Sequence, residues 1–349
     1  MAENNINFYT IDAVSLAKEI GLGNRLNTIL QSAFFKLANI IPIDEAVRLM
    51  KEAATKSYSK KGEEVVKQNH LAIDAGVNGM HKVEVPAAWK TESGSIDLGI
   101  ATGSNKFLVD YVNDVVIPAN AQIGDRLPVS KFLSSVDGTL PQGTAAFEKR
   151  GIAVDVPQWN TENCIQCGFC SYVCPHASIR LIGLNKEQAA NAPKNMKMLP
   201  MTGMPDYSFA ITVSPLDCTG CGSCVAVCPG MKGAKALTMK PLDSQMEEQK
   251  IFAYTGTFET DNKVVEKFKI NSVKGSQFKT PLLEFSGACA GCGETPYAKL
   301  ITQLFGDRMF VANATGCSSI WGGSAPSTPY TTNKAGKGPA WGNSLFEDN

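Results

Sequence analysis

Cysteine is the residue type that gives this 349-residue chain its distinctive chemistry, and the chain contains eleven cysteines. Eight of them lie in two runs with the same spacing, C-x2-C-x2-C-x3-C-P: Cys164, Cys167, Cys170 and Cys174, then Cys218, Cys221, Cys224 and Cys228. Thiolates at this spacing hold [4Fe–4S] clusters, because the two-residue gaps let the backbone curl around one face of the cube. Cys289, Cys292 and Cys317 lie outside the runs and need a separate explanation.

The two runs are predicted to exchange their last ligands. In bacterial-type ferredoxins the cysteine ahead of proline ligates the other cube. The first cluster is therefore predicted on Cys164, Cys167, Cys170 and Cys228. The second is predicted on Cys218, Cys221, Cys224 and Cys174. Gly168, Gly220 and Gly222 would allow positive φ and close approach of the backbone, and Ile165, Val173, Val225, Ala226 and Val227 would keep water off the clusters.

Three other uses of cysteine compete with this interpretation. Structural zinc also uses C-x2-C pairs, but it needs four ligands per ion and not a repeated run of this form. Disulfides belong to oxidising compartments, and nothing in the sequence signals secretion. Buried structural cysteines do not recur at a fixed spacing. The pattern favours iron–sulfur clusters over all three.

Composition narrows the class of protein. The chain has 33 acidic and 33 basic residues and a net charge of zero, which argues against nucleic acid as an electrostatic partner. No apolar run approaches the length of a membrane span, and the N-terminus lacks the pattern of a signal peptide. With its reduced cysteines, the chain is predicted to work in a reducing cytoplasm as two or three domains.

The first third of the chain is predicted to be mostly helical. Residues 8–72 carry apolar residues at helical spacing, with Asp12 capping a first helix and Gly21 ending it. Further helices are predicted after Pro42 and from Glu63. Gly21-x-Gly23 follows a helix and not a strand, so it indicates a helix stop and not a nucleotide loop.

The middle of the chain is predicted to be less regular. Residues 73–160 are rich in Gly, Pro, Ser and Asp and indicate a loop-rich connector without a core of its own, with short β-type runs at Phe107–Val109 and Val115–Ile117. Within it, Glu148-Lys149-Arg150 taken alone favours a solvated charged turn. The stretch Asn185–Met204, between the cysteine runs, indicates an inserted surface segment.

The strands and the last segment of the chain carry further expectations. Phe209–Val213 is predicted to be a strand with Leu237–Pro241 as its partner, and Ile251–Tyr254 is a further β-type run. A helix at Ala298–Phe305, a strand at Met309–Ala312 and a loop rich in Gly, Ser and Thr then follow, which is the layout of an α/β phosphate site. One helix and one strand cannot complete a core, so this last domain is predicted to be truncated at the end of the chain.

Together these motifs resemble pyruvate:ferredoxin (flavodoxin) oxidoreductase, the single-chain member of the 2-oxoacid:acceptor oxidoreductases. Segments at 8–13, 21–27 and 31–37 resemble the end of its γ-type domain. Glu148-Lys149-Arg150 matches the segment that names its EKR domain, which replaces the solvated-turn interpretation. The sequences GACAGCGETPY, at 287–297, and NATGCSSIWGGSAPSTPY, at 313–330, resemble the start of its thiamin-diphosphate-binding domain.

The resemblance implies roles for residues outside the two runs. Cys289, Cys292 and Cys317 match three ligands of a third [4Fe–4S] cluster beside thiamin diphosphate, whose fourth ligand would lie beyond Asn349. The resemblance also implies that Glu294 lies close to thiamin. The diphosphate would lie against Thr315, Gly316, Cys317, Ser318 and Ser319, and Mg2+ would bind farther downstream.

The resemblance also divides the chain into four parts. They are the C-terminal, helical part of a γ-type α/β domain (1–80), the loop-rich EKR connector (81–160), a ferredoxin-like 2[4Fe–4S] domain (161–241), and a linker with the truncated start of the thiamin-diphosphate-binding α/β domain (242–349). The predicted fold class is thus α/β and α+β in several domains.

The implied activity is that of a pyruvate synthase in anaerobic pyruvate metabolism. Pyruvate and CoA give acetyl-CoA and CO2, and this segment carries the electrons through its clusters to ferredoxin or flavodoxin. The intact enzyme is expected to be a homodimer, and this chain alone is expected to be inactive on pyruvate. The alternative is a stand-alone 2[4Fe–4S] electron-transfer module or iron–sulfur subunit without thiamin chemistry, which would need neither the γ-type nor the thiamin-type motifs.

Overall fold

A computed structural model of the chain describes residues 1–23, 25–92, 97–324 and 327–343. It forms two compact units, Met1–Asp97 and Leu98–Asn349. Asn24, which belongs to the segment 21–27, lies outside the described residues, as do Ala325 and Pro326 of the segment 313–330 and the last six residues, 344–349. The division into four domains stays a prediction.

The first unit packs helices beside a two-stranded sheet. Its elements are β1 (Phe8–Ile11), α1 (Ala13–Ile20), α2 (Asn27–Ala38), α3 (Ile43–Tyr58), α4 (Glu63–Asn78) and β2 (Met80–Val83). Asp12 caps α1 by accepting a hydrogen bond from the Ser15 N–H at 3.0 Å, and Gly21 ends it at φ 88°. Both predictions for the first helix are therefore confirmed, including the helix stop at Gly21.

One part of the helical prediction for this unit is wrong. Phe8–Ile11 is a strand that pairs antiparallel with Met80–Val83. Its partner lies about seventy residues away, where helical periodicity gives no information. Helices α2 and α4 pack so closely at Gly76 that an added Cβ would lie 2.0 Å from Ser32 Oγ.

The connector at the start of the second unit contains a helical segment. Its elements are α5 (Lys106–Tyr111), a π-helical turn (Val112–Val116) and α6 (Ile117–Asn120). The β-type runs predicted at Phe107–Val109 and Val115–Ile117 are therefore wrong. The connector also has a small apolar cluster of its own, Tyr111, Val112, Val115 and Val116. The buried valines recur at helical spacing, and this periodicity outweighs their β-branched character.

The cysteine runs lie among two small antiparallel sheets. The elements are β3 (Asp155–Trp159), α7 (Phe169–Tyr172), β4 (Ile179–Leu184), α8 (Lys186–Ala190), β5 (Leu199–Met201), β6 (Met204–Val213), α9 (Ser223–Val227) and β7 (Leu237–Pro241). Strands β3 and β7 form one sheet, and the other has the order β4-β6-β5. One apolar core unites both sheets and includes Trp159, Leu184, Phe209 and Leu237.

Two predictions about this region are wrong. Leu237–Pro241 pairs with Asp155–Trp159, whereas the predicted strand at Phe209–Val213 exists within β6 and pairs with β4. The segment 185–204 is no surface insertion, because Met196 and Met201 are buried in the core and β5 extends the sheet. A long spacer can contribute its own strand, so length alone did not identify a loop.

The remaining elements follow the second cysteine run. They are α10 (Glu247–Thr255), α11 (Asn262–Lys267), α12 (Val273–Gln277), α13 (Thr295–Phe305), β8 (Phe310–Asn313), α14 (Cys317–Ser319) and β9 (Ala340–Asn343). Ile251–Tyr254 is helical and not the predicted β-type run. The predicted helix and strand before the Gly, Ser and Thr loop are present as α13 and β8. Among the described residues, no helix combines the length and apolar character that crossing a bilayer requires.

Candidate metal centres

The eight cysteines of the two runs surround two separate cavities. One cavity is lined by Cys164, Cys167, Cys170 and Cys228, with apolar walls that include Ile211 and Leu237. The other is lined by Cys174, Cys218, Cys221 and Cys224, with Pro157, Ile179, Val213 and Met239 in its walls. Each cavity thus receives three thiols from one run and the fourth from the other. This is the grouping that the exchange of last ligands requires.

Glycines in the left-handed backbone conformation, with positive φ, shape the backbone around both cavities. Gly168 precedes α7 at φ 84° and Gly222 precedes α9 at φ 74°, so the two runs enter their short helices by the same turn. Gly220, at φ 69°, also lies against β3, where an added Cβ would be 2.9 Å from the Asp155 carbonyl oxygen. At these positions a side chain would be strained, as predicted.

Burial makes some of these thiols poor acids in the absence of a cation. It raises the pKa of Cys218 to about 12, and it raises the pKa values of Cys170 and Cys224 as well. Neighbouring cysteines add to each shift, because clustered thiolates repel one another. A bound metal compensates this cost, since a coordinating thiol is deprotonated outright.

The donor set fits a cube. The Gly220 N–H donates to Cys218 Sγ and the Ala236 N–H to Cys228 Sγ, each at 3.4 Å, which are the hydrogen bonds that tune a cluster's ligands. Within the described ranges, no three His, Cys, Asp or Glu side chains lie close enough to hold a single metal ion. Ile165 lines the first cavity, while Ile165 and Val227 are about half exposed, at 48% and 40%, so the shielding of the clusters by these residues stays a prediction.

The EKR segment makes buried contacts. Lys149 Nζ lies 2.5 Å from Asp217 Oδ2, and the Asp217 carboxylate is 1% exposed. Ser214 Oγ also donates to this carboxylate at 2.6 Å. Burial nevertheless raises the pKa of Asp217, against the opposing effect of Lys149. The segment therefore holds the residue next to Cys218, which the solvated-turn interpretation did not predict.

The other two charges of this segment lie beside the ion pair. Arg150 pairs with Glu148, and its Nη1 donates to the Phe285 carbonyl at 3.4 Å. Lys149 Nζ lies over the Phe285 ring at 4.4 Å. All three charged residues are thus fixed against neighbouring structure.

The second cavity adjoins the loop that carries Cys289 and Cys292. His176 lines this cavity, and its Nδ1 lies 3.1 Å from the Ser286 carbonyl oxygen. A Cβ on Gly291 would lie 3.6 Å from Cys221 Cβ. His176 is 1% exposed, so it packs between the second cavity and this loop.

The structure brings together two of the three cysteines that lie outside the runs. The Cys292 N–H donates to the Cys289 carbonyl at 3.0 Å, so the two residues share one turn. Cys289 and Cys317 are exposed and Cys292 is partly buried. Cys317 begins α14, and within the described residues it does not form a group with Cys289 and Cys292. The predicted set of three stays a prediction.

The predicted diphosphate loop follows β8. The Gly316 N–H donates to Ser319 Oγ at 3.2 Å, which donates back to the Gly316 carbonyl at 2.8 Å. Thr315, Gly316 and Cys317 are exposed, and Ser318 is partly exposed. Trp321 Nε1 donates to Glu294 Oε2 at 3.2 Å, which fixes the Glu294 carboxylate near this loop. Burial raises the pKa of Tyr330 to about 12, and Glu294 adds to the shift.

One buried cation, Lys299, was not predicted from the sequence. Lys299 in α13 is 1% exposed. Its Nζ donates to the carbonyl oxygens of Ser171 and Tyr172, the latter at 3.3 Å. These carbonyls belong to α7, the helix that carries Cys170. No local signal marks a helical lysine as buried, because its partners lie more than a hundred residues earlier.

Three family profiles match successive parts of the chain. Residues 1–79 match the pyruvate ferredoxin/flavodoxin oxidoreductase family, residues 103–153 the EKR family, which is described as a domain of unknown function, and residues 163–232 a 4Fe-4S dicluster domain. The last match supports two [4Fe–4S] clusters in this chain, and the chain combines this ferredoxin-like domain with mixed α/β structure.

Individual proteins are similar over the whole chain. Pyruvate-flavodoxin oxidoreductases of Enterobacter agglomerans and Klebsiella pneumoniae are each 52% identical over 349 residues. A pyruvate:ferredoxin oxidoreductase of Moorella thermoacetica is 51% identical over 351 residues. All of this chain is covered, whereas it spans only 29% of the length of each relative. The predicted resemblance is confirmed.

Proposed function

Because the chain belongs, as a segment, to the pyruvate-flavodoxin and pyruvate:ferredoxin oxidoreductases, we propose that it carries electrons from the oxidation of pyruvate to ferredoxin or flavodoxin. The supporting observation is the pair of cavities, each lined by four thiols that come from both runs. A stand-alone electron carrier would not account for similarity that extends over the entire chain.

In this proposal, the chain's own residues hold and insulate the redox groups. Each [4Fe–4S] cube, when bound, accepts and gives up one electron at a time. The first would be held by Cys164, Cys167, Cys170 and Cys228, and the second by Cys174, Cys218, Cys221 and Cys224. Backbone N–H groups at Gly220 and Ala236 donate to ligand sulfurs, and the apolar walls exclude water. Both effects set the potential of a cluster.

The contacts of the second cavity indicate where electrons would enter. His176 and Gly291 connect it to the turn that carries Cys289 and Cys292. These two cysteines and Cys317 would contribute three ligands to a third cluster. The loop 315–319 would hold thiamin diphosphate, with Glu294 nearby. Pyruvate, CoA, Mg2+, a homodimeric assembly and a cytoplasmic location are parts of this proposal for the whole protein.

The ligand grouping is testable by counting iron in anaerobically reconstituted variants of the full chain. With exchanged ligands, Cys174→Ala and Cys218→Ala disable the same cluster, so the double variant should lose about four irons. The matched double variant Cys174→Ala/Cys164→Ala disables both clusters and should lose about eight. The opposite ranking would show that each run holds its own cluster. Reduced wild-type chain should give electron paramagnetic resonance signals of two interacting [4Fe–4S]+ clusters.

The activity is testable in a hybrid enzyme. The chain alone should show no CoA-dependent reduction of methyl viologen by pyruvate. Substituted for the matching segment of the Klebsiella pneumoniae relative, which is 52% identical, it should support that reaction. A hybrid carrying Cys174→Ala/Cys164→Ala should lose it. A folded, cluster-loaded hybrid without activity would contradict the proposed function, as would a cysteine-depleted hybrid of unchanged activity.

A further inference from the structure

Lys299 brings a buried positive charge to the helix between the two cysteine cavities. Its side chain is 1% exposed, although a buried lysine is rarely tolerated without a partner. Its Nζ donates to the carbonyl oxygens of Ser171 and Tyr172. Cys170 precedes these residues and lines the first cavity, and Cys174 follows them and lines the second.

The charge of Lys299 has no carboxylate partner among the described residues. The nearby carboxylate of Glu284 is paired with Arg180. On the same face of α13, one turn away, Gln303 is neutral and accepts a hydrogen bond from Gln277 at 3.0 Å. Burial and the positive charge of Arg180 lower the pKa of Lys299 to about 8, whereas Cys174 and Cys170 oppose this shift. Carbonyl dipoles alone compensate a buried ammonium group poorly.

Reduction of an iron–sulfur cluster adds one negative charge and makes or breaks no covalent bond. A fixed cation nearby stabilises the reduced form, and buried charges are screened little by salt. We propose that Lys299 is an internal counter-charge of the two clusters and raises their reduction potentials while it anchors the helix of Cys170. This inference rests on the proposal that the two cavities hold [4Fe–4S] clusters.

The test is a redox titration of this reconstituted 349-residue chain with dithionite, followed by electron paramagnetic resonance. In Lys299→Met the ratio of reduced to oxidised cluster at a fixed solution potential should fall about tenfold, which is 59 mV for one electron. Lys299→Arg keeps the charge and should keep the wild-type ratio. Lys186→Met is the matched control, because Lys186 is 83% exposed and pairs with Asp206. An unchanged ratio in fully loaded Lys299→Met would overturn the inference.

A relocated charge decides the outcome if Lys299→Met takes up no iron. Gln303 and Lys299 line the same cavity of about 330 Å3. Lys299→Met/Gln303→Lys should therefore recover both iron uptake and the wild-type potential. Failure to recover them would overturn the inference, because a positive charge in this cavity would then not be what the clusters need. Failure of the wild-type chain to bind iron would instead refute the proposed function.

Discussion

Replacing Lys149 by Met should destabilise the second unit, because it leaves the Asp217 carboxylate buried with a single side-chain donor, Ser214 Oγ. Breaking a fully buried ion pair costs about 3–5 kcal/mol. The Lys149 side chain is 35% exposed, so water shares the interaction and we expect about 2 kcal/mol. Loss of the contact with the Phe285 ring should add about 0.5 kcal/mol.

Urea unfolding of the full chain measures this loss. Trp89 is the one tryptophan of the first unit, so Trp89→Phe in every variant restricts the fluorescence signal to Trp159, Trp321 and Trp341. Lys149→Met/Asp217→Asn removes both charges and should recover most of the lost stability. Lys250→Met, which removes an exposed pair with Glu247, should change it by less than about 0.5 kcal/mol.

Two results would refute this reasoning about the EKR segment. One is a loss of less than about 0.5 kcal/mol in Lys149→Met, which would mean that water already solvates Asp217. The other is a double variant as unstable as the single one. In that case the ammonium group would act through packing, and not by compensating the carboxylate.

Three further perturbations test local features. Asp12→Ala should loosen α1 at neutral pH, seen as faster amide exchange. Hydrogen bonds from Ser15 lower the pKa of Asp12 below 3.8. The extra stability of α1 in the wild type should therefore be fully present above pH 3.8 and be lost as the pH falls through the lowered pKa. Gly230→Ala should reduce iron uptake at the first cavity, because the residue has φ 62° and its Cβ would lie 1.8 Å from the Ala234 carbonyl oxygen. Gly76→Ala should lower the unfolding free energy of the first unit by about 1–3 kcal/mol in urea denaturation, since α2 and α4 must separate.

The features that the sequence predicted correctly depend on local geometry. The repeated cysteine spacing, the left-handed glycines and the Asp12 cap each involve residues within a few positions of one another. Their conformations follow from sterics and short hydrogen bonds. The family resemblance also rests on local motifs, and the similarity of known relatives over the whole chain confirms it.

The features that the sequence did not predict depend on distant partners. Leu237–Pro241 has the composition of a strand, but nothing local shows that Asp155–Trp159 and not Phe209–Val213 is its partner. Lys299 has the appearance of an ordinary helical lysine, because the carbonyls that it contacts are 127 and 128 positions earlier in the chain. Asp217 likewise pairs with a distant residue, Lys149, which lies 68 positions earlier in the chain.

The proposed sharing of thiols between the two runs has a consequence for synthesis. During translation Cys164, Cys167 and Cys170 are made first, but the fourth thiol of their cavity is missing until Cys228 has been added. The second cavity in turn draws on a residue made some fifty positions earlier. With the proposed ligand grouping, a chain that stops between the runs therefore lacks part of the ligand set of both centres.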